Sequence, residues 1–175
     1  MKKFQLGDNI PIKYIINDDT LNDTFTITFI KNGLIYTCGH CFPDNAITEY
    51  GNIIYTSGFD KPSENEEIAI IKIDKNKLDL FRELNIDNNF DYQEKNQKSL
   101  MIHNRDIYSG LIIKKVKKKL KYGWQKIENT NYYINHQITK LDLPYYLVMI
   151  DENSKPGFSG SPWIGKQDDK LKLLG

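Results

Sequence analysis

The chain has 175 residues, of which 39% are hydrophobic and 27% charged, and its formal net charge is +1. These values are typical of a soluble globular domain that can bury a sizeable core. They exclude a strongly cationic nucleic-acid binder, and no apolar run approaches the roughly 20 residues of a membrane span.

The cysteine content and the N-terminus bear on the compartment. Cys38 and Cys41 are only three positions apart, which does not provide a disulfide framework, so we expect free thiols. Met1–Asp8 contains two lysines without a following apolar stretch, so no secretory signal is predicted. We expect a reducing, cytoplasmic location without membrane association, in a bacterium or, if the protein is viral, in the host cell or virion.

Most of the chain alternates short apolar runs with turn residues, a pattern typical of strands. The predicted strands are Phe25–Ile30, Leu34–Thr37, Asn52–Thr56, Ile68–Ile73, Leu100–His103, Leu111–Val116, Tyr132–Thr139, Tyr145–Ile150 and Ser161–Ile164. Asn32-Gly33 predicts a hairpin between the first two. Helical spacing occurs at Lys77–Leu84, and the polar, aperiodic stretch Asp87–Lys98 predicts a connecting loop. The predicted fold class is all-β.

The segment Gly157-Phe158-Ser159-Gly160-Ser161-Pro162 presents Ser159 on a tight turn. Flanking glycines let backbone N–H groups converge, and such groups can hold the negative oxygen of a tetrahedral acyl-transfer intermediate. Alone, the pattern usually marks only a surface turn. Other serines, such as Ser57, Ser109, Ser154 and Ser161, lack this flanking glycine geometry.

Two upstream residues provide the other groups that serine catalysis needs. His40 is a candidate base and Glu67 a candidate acid that orients it, each at the edge of an apolar run. His103 and His136 lie in predicted strands without a motif and are interpreted as ordinary half-exposed imidazoles. The rival acids are Asp60, Glu64 and Glu66, and a solvated charge run is the alternative for all four carboxylates.

Three motifs, in order, resemble those of the trypsin/chymotrypsin-like serine peptidases. Thr37-Cys38-Gly39-His40-Cys41 resembles Thr-Ala-Ala-His-Cys, Glu67-Ile68-Ala69-Ile70 resembles Asp-Ile-Ala-Leu, and the Ser159 segment resembles Gly-Asp-Ser-Gly-Gly-Pro. Ser-Gly-Ser-Pro is closer to bacterial glutamyl-endopeptidase-like and viral members. Glu67 departs from the usual aspartate, although picornaviral peptidases of this class commonly use glutamate there.

The resemblance implies a single domain, residues 1–175, of two six-stranded antiparallel β-barrels with the active-site cleft between them. The first barrel would span about residues 1–86, the linker about 87–98 and the second barrel about 99–175. In the family a further strand and a helix complete the second barrel. Because the chain stops at Leu173-Leu174-Gly175, we expect either a natural continuation or a truncated second barrel.

The resemblance also implies a function: a serine endopeptidase acting through an acyl-enzyme, with Ser159 as nucleophile, His40 as base and Glu67 as orienting acid. The backbone N–H groups of Gly157 and Ser159 would form the oxyanion hole, and Asn153 would lie near the floor of the substrate pocket. The expected substrate is a protein or peptide, and no metal or cofactor is expected. Phe158 replaces an aspartate that pairs with a freed amino terminus, so direct folding into the working form is expected.

Three other interpretations stay open. The first is a catalytically inactive trypsin-like scaffold that acts as a binding module. The second is redox or zinc chemistry at Cys38-Gly39-His40-Cys41, although the turn-like residues that follow do not favour a redox helix and a closed zinc site wants four ligands. The third concerns Lys114–Lys121, a basic run that is usually a solvated hairpin face but can contact RNA or an acidic partner weakly.

Overall fold

A computed structural model of the protein describes residues 2–43, 45–57, 68–87, 97–114, 123–127, 129–134, 145–149 and 157–174. Within these residues nearly all regular structure is β-strand, which confirms the predicted all-β class. The described helices are two 3-10 segments, Gly39–Cys41 and Lys75–Leu80, and neither is long and apolar enough to cross a membrane.

The chain forms two compact units, the first of which comprises Met1–Asn85, His103–Arg105 and Pro156–Pro162. Its strands are β1 (Asn9–Ile16), β2 (Asp19–Thr26), β3 (Phe29–Lys31), β4 (Leu34–Cys38), β5 (Gly51–Thr56) and β6 (Ile68–Ile73). β1 and β2 form an antiparallel ribbon, and the other four form a sheet in the order β3-β4-β6-β5.

The core of the first unit is made of aliphatic and aromatic side chains. Strands β4 and β6 alternate buried and less buried positions, because successive side chains of a strand point to opposite faces. The largest fully buried members of this core are Ile10, Ile12, Phe25, Ile27, Ile35, Phe42 and Ile71. Phe42 belongs to this set, so the residue after the helix Gly39–Cys41 is anchored in the core.

One hairpin prediction in this unit is confirmed and one strand prediction is wrong. Asn32 and Gly33 have φ of +53° and +73° and connect the paired residues of β3 and β4, as the Asn-Gly signal predicts. Phe25–Ile30 is not one strand, because the chain leaves the ribbon after Thr26. The Ile27 N–H bonds to Asp8 O and the Thr28 N–H to Tyr36 O, so adjacent residues join different neighbours.

The helix expected at Lys77–Leu84 is confirmed only over Lys77–Leu80. The observed segment is of the 3-10 type and ends at Leu80, after which Phe81 is extended and buried. Phe4 determines this ending, since its N–H bonds to Leu80 O and its carbonyl accepts the Arg82 N–H. Pairing with the N-terminal segment therefore overrides the helical spacing of the apolar residues.

The second unit comprises Ile86–Ile102, Asp106–Lys155 and Trp163–Gly175. Its strands are β7 (Gln97–His103, of which the last residue belongs to the first unit), β8 (Asp106–Lys114), β9 (Gly123–Ile127), β10 (Thr130–Ile134), β11 (Tyr145–Met149), β12 (Trp163–Gln167) and β13 (Lys170–Leu173). They form a seven-stranded sheet in the order β13-β12-β7-β8-β11-β10-β9.

The strand order tests the expectation of two barrels, because in a closed barrel the first and last strands of the sheet pair with each other. Among the described residues, neither unit has a sheet whose last strand pairs with its first. The structure therefore shows an all-β fold without showing two closed six-stranded barrels. Most of the predicted connection Asp87–Lys98, namely residues 88–96, lies outside the described part of the chain.

Candidate active site

His40 lies in the short 3-10 helix that follows β4. Gly39 makes this turn possible, because a Cβ on it would lie 1.5 Å from the Ser57 carbonyl oxygen. The Phe42 N–H closes the turn by bonding to Gly39 O at 3.0 Å. The His40 side chain is exposed at this position, while partial desolvation of its ring lowers its pKa below the ordinary value. A lowered pKa favours the neutral imidazole, which is the form that accepts a proton.

Ser159 lies in the loop formed by residues 157–161. Gly157 and Gly160 have φ of +93° and +80°, in the left-handed region that favours glycine. The Ser161 N–H bonds to Phe158 O at 3.0 Å and closes a turn around Ser159. The Ser159 side chain is exposed at the apex of this turn.

The loop is tied to the N-terminal strands of the same unit by hydroxyl groups. Thr26 Oγ1 lies 2.9 Å from Gly157 O and 2.8 Å from Asn9 Oδ1, which share its single proton, and Thr28 Oγ1 donates to Gly160 O. Thr26 and Thr28 lie at the end of β2 and in the following link. Their hydroxyls therefore fix the loop carbonyls on both sides of Ser159.

Gly160 packs directly against the end of β4. A Cβ at this position would lie 2.7 Å from Thr37 Oγ1 and 3.3 Å from Cys38 Sγ. Thr37 is itself fixed, because its buried hydroxyl donates to Thr26 O at 2.6 Å. The loop that carries Ser159 therefore rests on the two residues that immediately precede the helix of His40.

The other predicted site residues lie outside the described part of the chain. These are Glu67 and Asn153, together with the rival acids Asp60, Glu64 and Glu66. Ile68, which follows Glu67, is described and pairs with Cys38 across β4 and β6. Of the basic run Lys114–Lys121, only the backbone of Lys114 is described, at the end of β8. His136 is also outside the described residues.

His103 contacts the Ser159 loop at two points, which sequence reasoning missed. Its Nδ1 lies 3.0 Å from the Oγ of Ser161, a buried residue, and its ring packs on Phe158 with 4.7 Å between centroids. Ser161, set aside among the other serines, thus takes part in holding the loop. No local signal in the sequence indicates either contact, because the two segments are distant along the chain.

Cys38 and Cys41 flank His40 as free thiols with their sulfur atoms 3.1 Å apart. The hydrogen bond between them lowers the pKa of Cys38 and, together with burial, raises that of Cys41. The charge of Asp23 raises the Cys41 pKa further. One ligand atom from each of Cys38, His40 and Cys41 lies within 4.8 Å of the others.

The chain was compared with protein-family models and with curated proteins, and neither comparison identified a relative. No protein-family model matches the chain, and no curated protein matches it significantly. The resemblance to trypsin-like peptidases therefore rests on the three motifs.

Proposed function

We propose that the protein is a serine endopeptidase of the trypsin-like class, with Ser159, His40 and Glu67 as its catalytic triad. Its substrates would be proteins or peptides, cleaved through an acyl-enzyme on Ser159. We also propose that residues of about 1–86 and 99–175 form the two barrels of that class, and that Asn153 contributes to the substrate pocket.

The observation that carries this proposal is the attachment of the Ser159 loop to the strand that leads into His40. Gly160 rests on Thr37 and Cys38, and His40 is only two residues further along the chain. Serine catalysis requires the base to lie within hydrogen-bond reach of the hydroxyl, about 3 Å, and this attachment supports such proximity because it holds the two segments against each other. The role of Glu67 is supported by Ile68, which follows it and pairs with Cys38.

The chemistry follows from these roles. His40 accepts the Ser159 Oγ proton as that oxygen attacks the substrate carbonyl, and Glu67 stabilises the resulting imidazolium. The Gly157 and Ser159 N–H groups donate to the oxyanion, each such donor contributing about 3 kcal/mol of transition-state stabilisation. His40 then protonates the leaving amine, and a water molecule, deprotonated by His40, hydrolyses the acyl ester and frees Ser159.

A fluorophosphonate probe tests the proposal, because it modifies only an activated serine. We expect labelling of the wild type that is lost in Ser159→Ala and strongly reduced in His40→Ala. Ser109→Ala is the matched control, since Ser109 is exposed on β8 and outside the proposed site. Absence of labelling in folded wild-type protein would contradict the proposed peptidase activity and favour the alternative of an inactive binding scaffold. If labelling succeeds, cleavage of a peptide library defines the preferred side chain.

A further inference from the structure

The cluster of Cys38, His40 and Cys41 has a chemistry that the proposed triad does not use. We propose that these three side chains bind one thiophilic divalent cation of the Zn²⁺ type, with the two sulfur atoms and one His40 ring nitrogen as ligands. The proposal stands on geometry, since the donor atoms already lie within 4.8 Å of one another.

The distances between the donor atoms are close to those of a metal site. Zn–S bonds of about 2.3 Å in a tetrahedral site place two sulfur ligands roughly 3.8 Å apart. The sulfur atoms of Cys38 and Cys41 are 3.1 Å apart, so their distance must increase by less than about 1 Å for the ion to bind between them. Small changes in the side-chain torsions of two cysteines provide that movement without any change in the backbone.

The backbone that carries the three ligands is held from both sides. Gly39 lies against the Ser57 carbonyl, and Phe42 is fully buried. Fixed ends on a single helical turn keep the ligand-bearing residues together before the metal arrives, so little conformational entropy is lost on binding. The site is therefore largely formed in advance.

The ligand set and its exposure indicate an open site rather than a closed structural one. Two cysteines and a histidine leave the fourth tetrahedral position of zinc unfilled, as in catalytic zinc sites where water takes it. His40 is exposed and both cysteines are half-buried, so the ion enters from solvent. The two thiolates balance the charge of a divalent cation, and Asp23 adds negative charge close enough to act on Cys41.

The consequence concerns His40, and this step rests on the proposed function. An imidazole nitrogen that is bonded to a cation has no lone pair for the Ser159 proton, so metal occupancy and catalysis exclude each other. Binding converts two thiols to thiolates and releases two protons, which makes affinity rise with pH. A thiophilic cation would thus be a reversible inhibitor of the peptidase.

Cobalt spectroscopy tests the site independently of any activity. Reduced protein titrated with Co²⁺ should develop thiolate-to-cobalt charge-transfer absorption that saturates at one ion per chain and is displaced by Zn²⁺. The double variant Cys38→Ser/Cys41→Ser should lack this absorption. Wild-type protein that stays folded and shows no such absorption overturns the site.

Protection from alkylation gives a second measurement on unmodified protein, so the conclusion does not depend on the folding of a variant. Zn²⁺ should slow the reaction of both Cys38 and Cys41 with iodoacetamide, as read by mass spectrometry of the peptide that contains them. A zinc concentration ten times the dissociation constant should slow it by about tenfold, because only the free form reacts. Unchanged rates at saturating zinc overturn the proposal.

The fluorophosphonate reaction separates the two proposals. In wild type its rate should fall by about tenfold at ten times the zinc dissociation constant, and in Cys38→Ser/Cys41→Ser the ratio with and without zinc should stay near one. Cobalt binding without any labelling in metal-free protein means that the proposed enzyme fails while the metal site stands. If zinc does not slow labelling of the wild type, then His40 is not both a metal ligand and the catalytic base.

Discussion

The Nδ1 atom of His103 lies 3.0 Å from the Oγ of Ser161, although the two residues are 58 positions apart. Ser161 is buried, so its hydroxyl depends on a partner within the protein. The same imidazole packs on Phe158, three residues earlier in the Ser159 loop. His103 is therefore a positioning residue for the proposed nucleophile.

A double-mutant cycle measures this relationship. His103→Phe keeps a ring against Phe158 but removes the hydrogen bond, and Ser161→Ala removes it from the other side. We expect a coupling of about 1 kcal/mol in the free energy of unfolding, measured in urea, because a net hydrogen bond is of that size. Additive effects of the two substitutions would contradict the contact.

The two loop glycines provide a matched pair for the packing of the loop on β4. Both have positive φ, so alanine is strained at either position. A Cβ at Gly157 has its nearest neighbour, His103 Cε1, at 3.9 Å, whereas at Gly160 it meets Thr37 Oγ1 at 2.7 Å. Gly160→Ala should therefore lower the unfolding free energy by about 1–3 kcal/mol more than Gly157→Ala. Equal losses in calorimetry or urea unfolding would indicate that the loop does not rest on Thr37.

The threonine hydroxyls allow a test with little change in side-chain shape. Thr28→Val removes the hydrogen bond to Gly160 O while Thr24→Val, at an exposed position of β2, is the control. Loss of a net hydrogen bond of about 1 kcal/mol should slow fluorophosphonate labelling by up to about fivefold in Thr28→Val. Comparable rates in the two variants would show that this hydroxyl does not hold the loop.

The lowered pKa of His40 predicts the pH dependence of labelling. The neutral imidazole is the base, so the rate should fall as pH decreases through the His40 pKa, which lies below the ordinary 6.5 because of partial desolvation. Because the pKa lies below 6.5, more than half of the maximal rate should remain at pH 6.5. Proton NMR of the imidazole, assigned with His40→Ala, should give the same midpoint. A midpoint above 6.5 would contradict this prediction and would indicate that the proposed Glu67 partner raises the pKa by more than desolvation lowers it.

Local turn chemistry was readable from the sequence only where the turn residues are strong indicators. The Asn32-Gly33 hairpin followed from two residues that tolerate positive φ. The ribbon of β1 and β2 was missed, although Asn17-Asp18 forms the same kind of turn, with φ of +50° and +67°. The signal was present there, but Asn-Asp is a weaker indicator of such a turn than Asn-Gly.

The candidate site divides in the same way. Ser159 and His40 were found because motifs mark them, and the sequence also indicated the glycine turn around Ser159. Thr26 and Thr28 were not identified as site residues, because nothing in the local sequence distinguishes their hydroxyls from those of other threonines in or next to a strand. Contacts across 131 and 132 positions leave no periodic or local pattern in a single sequence.

The same separation along the chain has a consequence during translation. A ribosome-bound chain has made Thr26, Thr28 and the His40 turn long before residues 157–160 leave the exit tunnel. Pairing over such distances closes late in folding. If the proposed chemistry is correct, the nascent polypeptide carries a base without a nucleophile until residue 160 has left the exit tunnel, and it does not cleave neighbouring chains before then.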